Sequence, residues 1–275
     1  MITLMAALLI VGGQADATPS PPVMELQTPP AGLAEVPRSP PREVYELHLA
    51  VDIPVTIVAG GVGLVRVFFT DQLARKSCPC DASSINFLDR GTVGNHSAAA
   101  GIAANVTVYG VMAALPLIDL LDLRLGRAFG EDLAVYAETL AIDTALQNAT
   151  NFIVARPRPR TYAGDPASLA SGDGYLSFYA GHVATAFAMA SVAAFTIRKR
   201  YGERIWPWIV GGLIASSVAV ERVASGDHFP TDVGVAALVG TGIGITVPWL
   251  HLRHGEIHAQ IAPVGANGLG FVGSF

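Results

Sequence analysis

Apolar runs with helical spacing alternate along the chain with short clusters of Gly, Pro, Asp and basic residues. Six of these runs are long enough to form helices. They lie at about 48–70, 98–121, 132–154, 182–200, 205–222 and 231–251. No strand-like alternation passes through this region. The pattern therefore predicts an all-α fold, a six-helix bundle.

The composition indicates that this bundle is transmembrane. The chain is 51% apolar and 14% charged, and its mean hydropathy of +0.46 is higher than that of an ordinary soluble domain. The runs 98–121 and 231–251 can cross a bilayer, whereas 182–200 and 205–222 are slightly short. Acidic and amide residues in 132–154 predict a face turned into the bundle or a cavity. The net charge of −5 argues against a nucleic-acid partner.

The two ends of the chain differ from the helical region. Residues 1–17 have an apolar core and a small-residue end that are typical of a secretory signal, although no basic residue precedes the core. Residues 18–43 hold eight prolines and predict a flexible linker. The helical domain is expected over 44–255. In the Gly-rich tail, 256–275, the dipeptide Asn267-Gly268 predicts a short β-hairpin.

Basic residues predict how the bundle is oriented. The strongest cluster, Arg198-Lys199-Arg200 followed by Arg204, should be cytoplasmic. That orientation places His182, Arg222 and His228 together on the outer side. Six spans with an outer site require a cytoplasmic N-terminus, whereas a cleaved signal would leave the N-terminus outside. The sequence leaves this conflict open.

The two cysteines, Cys78 and Cys80, are separated by one residue. A disulfide between them would close a very tight loop. A metal site would need further ligands, and His96 is the only nearby candidate. The spacing favours two loop thiols or one strained bridge.

Polar residues gather in three stretches at predicted helix ends, and the stretch 221–232 frames a nucleophile. Pro230 favours the first turn of a helix, which places Asp232 close to His228. A carboxylate on one imidazole nitrogen makes the other nitrogen a better nucleophile or base. Arg222, at the end of the preceding helix, can bring a bidentate cation to the same place.

The other two helix ends are suited to phosphate. Gly181 and His182 open the fourth helix, where unpaired N–H groups attract anions and glycine permits close approach. His182 can protonate a leaving oxygen. Arg156 and Arg158 follow the third helix in an Arg-Pro-Arg-Pro run, in which the prolines end the helix. Each feature alone is commonplace, but their joint occurrence points to an anion site.

In these motifs the chain resembles the type 2 phosphatidic acid phosphatase superfamily, which includes bacterial acid phosphatases and vanadium haloperoxidases. The family pattern is Lys-(six residues)-Arg-Pro, then Pro-Ser-Gly-His, then Ser-Arg-(five residues)-His-(three residues)-Asp. The residues that match it with the right spacing are Arg158-Pro159, Gly181-His182, Arg222, His228 and Asp232.

Four residues of the family pattern are replaced. Asn151 stands at the lysine, Tyr179-Ala180 at the Pro-Ser pair, and Glu221 at the serine before the arginine. The lysine and the serine beside Gly-His bind phosphate directly in the family. Arg156 could partly replace the lysine charge, and Asn151 can still donate a neutral hydrogen bond to phosphate.

The resemblance implies two-step hydrolysis of a phosphomonoester without a metal or another cofactor. His228 attacks phosphorus to form a phosphohistidine, and Asp232 orients it. His182 protonates the leaving oxygen and later takes a proton from water. The two matched arginines and the Gly181 N–H hold the phosphate oxygens.

The expected substrate is a lipid or isoprenoid phosphate, and membrane lipids are the other expected partners. We expect a multi-pass protein of a bacterial inner membrane with its site facing the periplasm; a periplasmic bundle is the alternative. The replaced residues leave a second hypothesis, a catalytically impaired member that binds phosphate-bearing ligands or acts as a membrane protein without turnover. A haloperoxidase is disfavoured because its vanadate cradle uses the same lysine and serine. The sequence predicts no oligomeric state.

Overall fold

A computed structural model describes residues 43–78, 80–253, 258–264 and 268–274. Within them the chain forms six long helices and two short ones. They are α1 (Leu49–Leu73), α2 (Ala98–Leu123), α3 (Arg127–Val154), α4 (Pro159–Tyr162), α5 (Pro166–Ala170), α6 (Gly181–Tyr201), α7 (Trp206–Ala224) and α8 (Pro230–Leu250). Single 3₁₀ turns occur at Ala82–Ser84, Arg90–Thr92 and Gly172–Tyr175. The predicted all-α fold with six long helices is confirmed.

The tail of the chain forms the expected hairpin. Strands β1 (His258–Val264) and β2 (Gly268–Ser274) pair antiparallel, with Ile261 opposite Phe271. The signal-like segment 1–17 and the proline-rich segment up to residue 42 lie outside the described residues.

Helices α3 and α6 occupy the inside of the bundle. Helix α6 packs against α7, α8 and α3, while α1 covers α3 and α2 covers α7. Helices α6 and α8 approach each other most closely where α8 has Gly240 and Gly244. A Cβ on either glycine would collide with the backbone carbonyl of Ala184 or Ala188. Small residues thus permit the tight helix contact that is common in membrane bundles.

Four of the described helices, α1, α2, α7 and α8, are long and apolar enough to cross a membrane. Large apolar side chains such as Val58, Ile102 and Leu213 are exposed. Helix α3 instead buries polar side chains, among them Asp143 and Asn148. The apolar faces are typical of a membrane protein, and the polar face of α3 points inward as its sequence predicts.

One end of the bundle gathers the motifs. It is formed by the carboxyl-terminal ends of α1, α3 and α7 and the amino-terminal ends of α2, α6 and α8, and we call it the arginine end. The loop after α1 also belongs to this end, and in it Cys78 and Cys80 form a disulfide. Of the two possibilities that the spacing favoured, the structure therefore has the bridge.

Candidate active site

A cavity of about 760 Å³ opens at the arginine end. Its lining comes from α1, α2, α3, α4, α6 and α7, from the 3₁₀ turn Gly172–Tyr175 and from the segments that precede α4 and α8. The charged and imidazole side chains around its polar end are Arg66, Arg158, Arg160, Asp173, His182, Arg222, Asp227 and His228. The cavity therefore joins all three predicted motif segments.

The turn between α7 and α8 places Arg222 and His228 side by side. Gly226 has φ +73, and a Cβ there would collide with the backbone of Asn95. The His228 N–H donates to the Arg222 carbonyl at 3.3 Å. Pro230 is the first residue of α8, as the sequence predicts. The short spacing between arginine and histidine thus becomes a compact turn.

His228 has the protonation state of a nucleophile. Its side chain is buried, and its Nδ1 lies 2.7 Å from the Ser177 carbonyl oxygen. Because a carbonyl only accepts hydrogen bonds, Nδ1 carries the hydrogen and Nε2 keeps its lone pair. Burial, followed by the charges of Arg158 and Arg222, lowers the pKa of His228 well below its usual value. The imidazole is therefore neutral at pH 7.

Asp232 acts on His228 indirectly. Its Oδ2 lies 4.0 Å from the His228 Nδ1, beyond hydrogen-bond distance. That oxygen accepts from the Ser177 hydroxyl at 2.5 Å and from the Phe229 N–H at 3.0 Å. The expected direct contact is absent because the Ser177 carbonyl takes the Nδ1 hydrogen. Asp232 instead holds Ser177, and Ser177 holds the imidazole.

His182 stands in the first turn of α6 with Gly181 before it. Burial, then Arg222 and Arg158, lowers the pKa of His182 to about 4. A Cβ on Gly181 would lie 2.9 Å from the Gln147 Cδ. Glycine thus lets the amino end of α6 approach α3 while its N–H groups remain at the cavity.

Two carboxylates pair with the arginines of the cavity. Asp227 accepts from Arg222 at 2.9 Å, from Arg158 at 3.2 Å and from Arg160. Burial raises the pKa of Asp227, but the three arginines outweigh it and hold that pKa below its usual value. The carboxylate is therefore charged.

The second carboxylate is Asp173, which binds Arg66 at 2.6 Å and Arg158 at 2.9 Å. Here too the arginines outweigh burial and lower the pKa of the carboxyl. Four arginines face two carboxylates at this end of the cavity, so two positive charges remain in excess. Such a surplus suits the anionic oxygens of a phosphomonoester.

Comparison with known proteins gives the family. Residues 132–256 match the family model described as the PAP2 superfamily. This region belongs to the PAP2 superfamily. A solved structure of LpxE from Aquifex aeolicus is similar at 25% sequence identity, over 57% of this chain and 90% of that one, with a TM-score of 0.43. None of the curated proteins matches the chain. The family assignment made from the motifs is confirmed.

Arg156, which the sequence suggested as a phosphate ligand, points away from the cavity. Its guanidinium donates to Asp89 at 2.7 Å, to Thr231 at 2.9 Å and to Asp232. It also lies over the Phe229 ring at 4.1 Å. Arg156 therefore fastens the start of α8, and Arg158 alone of the two motif arginines lines the cavity.

Asn151, at the position of the PAP2 lysine, is also turned away from the cavity. Its Nδ2 donates to the Phe178 and Tyr179 carbonyls at 2.9 and 3.1 Å. Its Oδ1 accepts from Arg66 at 3.1 Å. Asn151 thus fixes the backbone before α6 and has no contact of its own with the cavity.

Ala180 and Glu221 stand at the two serine positions of the family pattern, and Ala180 leaves the phosphate-binding end of the cavity without one hydroxyl. Ala180 is fully buried at the amino-terminal cap of α6 and offers no side-chain hydrogen bond there. Glu221 is not part of the described cavity lining.

Sequence reasoning assigned no role to several residues that the fold brings to the site. Ser177 holds His228, and Arg66, Arg160, Asp173 and Asp227 contribute the remaining charges. One signal was available for Arg66. It is a basic residue within an otherwise apolar run, and such residues usually mark function.

Proposed function

We propose that the protein hydrolyses a phosphomonoester carried by a lipid or isoprenoid, through a phosphohistidine on His228. The tautomer of His228 is the observation that carries this proposal. The Ser177 carbonyl holds the Nδ1 hydrogen, which leaves the Nε2 lone pair on a side chain that lines an arginine-rich cavity. An activated nucleophile beside a fixed positive field is what phosphoryl transfer requires.

The reaction follows in two balanced steps. His228 Nε2 forms a bond to phosphorus while the ester P–O bond breaks, and the proton that the bound substrate shares with His182 passes to the leaving alcohol. Water then attacks phosphorus, and His182 takes the proton of that water. Inorganic phosphate leaves, and the His228 lone pair is restored. Arg158, Arg222 and the Gly181 N–H hold the phosphate oxygens throughout.

The apolar part of the cavity lining supports a substrate with an apolar chain. Away from the arginines its wall includes the apolar side chains of Val108, Met112 and Leu140, on α2 and α3, beside polar ones such as Asp143 and Gln147. Helices α1 and α2, which also line it, are apolar enough to cross a membrane. An acyl or isoprenoid chain would bury its surface there while its phosphate reached the arginines.

Two features support a site that faces the periplasm of a bacterial inner membrane. The basic residues Arg198, Lys199 and Arg200 lie in the last turn of α6, at the opposite end from the cavity. The Cys78–Cys80 disulfide is in a loop of the arginine end, and disulfides persist in oxidising compartments. This multi-pass arrangement places the start of α1 on the cytoplasmic side.

The alternative, an impaired protein that binds phosphate without turnover, is favoured by Ala180. This residue leaves the cap of α6 without the hydroxyl that the family pattern places there. The two functions make different predictions for the same purified protein.

Phosphate release should be measured with lysophosphatidic acid and farnesyl phosphate in detergent micelles, comparing the wild type with His228→Ala. We expect the variant to lose at least about a thousandfold in rate, because it lacks the nitrogen that forms the covalent intermediate. Equal rates in the two proteins would rule out the proposed chemistry. Vanadate binding without any phosphate release would establish the alternative.

A further inference from the structure

We propose that Arg66 binds the substrate phosphate and supplies the positive charge that the PAP2 pattern assigns to a lysine at position 151. The proposal deepens the phosphatase function proposed above and rests on it for turnover. Anion binding tests it separately.

Arg66 reaches the missing lysine's position from a different helix. It belongs to α1, outside the matched region 132–256. Its Nη1 donates to the Asn151 Oδ1 at 3.1 Å, so the guanidinium meets the side chain that replaced the lysine. Arg66 also lines the cavity, together with His182 and His228. The cation is therefore retained in space although it is lost from the motif.

A second contact ties Arg66 to the phosphate-binding arginine. Its Nη2 lies 2.6 Å from Asp173, and the same carboxylate binds Arg158 at 2.9 Å. Asp173 thus holds two guanidinium groups at the same end of the cavity. The family pattern pairs a lysine with an arginine. Here two arginines form the pair, and the carboxylate of Asp173 holds both.

The guanidinium retains donors for a ligand. An arginine has five N–H bonds, and among the described residues its side chain donates only to Asn151 and Asp173. The side chain is 23% exposed, and it lines the cavity, where a ligand can meet it. A planar guanidinium matches the oxygens of a phosphate in a bidentate manner.

The charge of Arg66 also acts on both histidines. Burial and the charges of Arg158 and Arg222 lower the pKa of His228 and His182 most, and Arg66 contributes in the same direction. This effect requires Arg66 to lie near the groups that would perform the chemistry. It agrees with the contacts described above.

Asn151 is suited to this exchange. A carbonyl oxygen faces the Arg66 guanidinium, while the amide nitrogen supports the Phe178 and Tyr179 carbonyls. A lysine at this position would place a second cation against Arg66 and would break the accepting bond. Arginine at position 66 with asparagine at position 151 therefore supplies one cation to the site. Lysine at position 151 with an uncharged residue at position 66 would supply one cation as well.

The experiment uses the full chain in detergent micelles and a charge exchange between the two helices. The variants are Arg66→Met, Asn151→Lys, the double variant, and Arg75→Met as a matched control. Arg75 is an exposed arginine after α1 that donates to the Ile153 carbonyl at 2.5 Å and does not belong to the described cavity lining. The first readout is the dissociation constant of orthovanadate, and the second is phosphate release from lysophosphatidic acid.

We expect Arg66→Met to weaken vanadate binding about 10- to 100-fold and to slow phosphate release about 100- to 1,000-fold. The double variant should regain at least about tenfold of each loss. Asn151→Lys alone should not improve either, because its charge competes with Arg66. Arg75→Met should behave as the wild type.

The proposal would be overturned if Arg66→Met bound vanadate as tightly as Arg75→Met does. It would also be overturned if the double variant folded but bound vanadate no more tightly than Arg66→Met. If Arg66→Met does not fold, Arg66→Lys and Arg66→Gln decide: retained affinity in the lysine variant alone supports the proposal, and equal affinities overturn it. If the wild type releases no phosphate, the proposed function is refuted. The vanadate dissociation constants of the variants still test whether Arg66 binds the anion.

Discussion

The two sides of the cavity are built in different ways. The side formed by the α7–α8 turn takes Arg222 and His228 from one short stretch of chain, and a glycine and a proline shape that turn. The other side combines Arg66 of α1 and Arg158 after α3 with Asp173 of a 3₁₀ turn. We call them the local side and the assembled side. The local side retains the arginine, histidine and aspartate of the pattern, although Glu221 replaces its serine. The assembled side has lost its lysine and recruits a cation from another helix.

The comparison suggests where a site of this kind tolerates change. A nucleophile must place one particular atom at one position. A histidine on another helix could not replace His228, because it would lack the hydrogen bond to the Ser177 carbonyl that sets the tautomer. A phosphate-binding charge acts over several ångströms and can come from any helix that reaches the cavity. The residue that supplies a positive charge to the site can therefore lie on a different helix from the one in the family pattern.

The largest effect is expected where the two sides meet. Arg158 binds Asp227 of the local side and Asp173 of the assembled side. Arg158→Met should lower kcat/KM for lysophosphatidic acid about 100- to 1,000-fold, since one buried phosphate donor is lost. A loss below about fivefold would mean that the two sides do not act on one anion.

The next effect concerns the pH dependence of the local side and its partner His182. The first step needs a neutral His228 and one proton shared between His182 and the phosphate. His182 has a pKa of about 4, so above that pH the proton must arrive with the substrate, whose second pKa is about 6. We expect kcat/KM to fall about tenfold per pH unit above about pH 6.

This profile should be recorded with farnesyl phosphate between pH 4 and 9, a range chosen to bracket the two values of about 4 and 6. A flat profile from about pH 6 to 8 would contradict the shared-proton mechanism. Arg222→Met serves as the comparison, because removing that charge should raise the pKa of His182 and move the acid-side limb of the profile to higher pH. The fall above about pH 6, which the substrate sets, should stay in place.

The smallest effect on turnover is expected from Arg156→Met, the matched partner of Arg158→Met. Arg156 bonds Asp89 and Asp232, both fully buried, and does not line the described cavity. Its loss should leave vanadate affinity within about threefold of the wild type, yet cost roughly 3 kcal/mol of stability by leaving buried carboxylates unpaired. Thermal unfolding in detergent measures the second effect. Vanadate binding that weakens as much as in Arg158→Met would show that both arginines face the anion.

The sequence predicted the fold because its signals are local. Apolar runs of helical length mark α1 to α8 apart from the two short helices, and an Asn-Gly pair predicts the hairpin after them. The PAP2 family was readable for the same reason, since Gly181-His182 and the spacing from Arg222 to Asp232 survive in short segments. Such motifs need no knowledge of which helices touch.

Only the tertiary structure decided how the charges are shared. Arg156 and Arg158 are two residues apart, yet one binds the start of α8 and the other lines the cavity. Asp232 acts through Ser177, from a distant stretch of chain, and Arg66 reaches Asn151 across 85 residues. The sequence by itself therefore determined the helices, the family and the histidines. Helix packing determined which arginines and carboxylates meet, because ion pairs form between groups that are near in space whatever their separation along the chain.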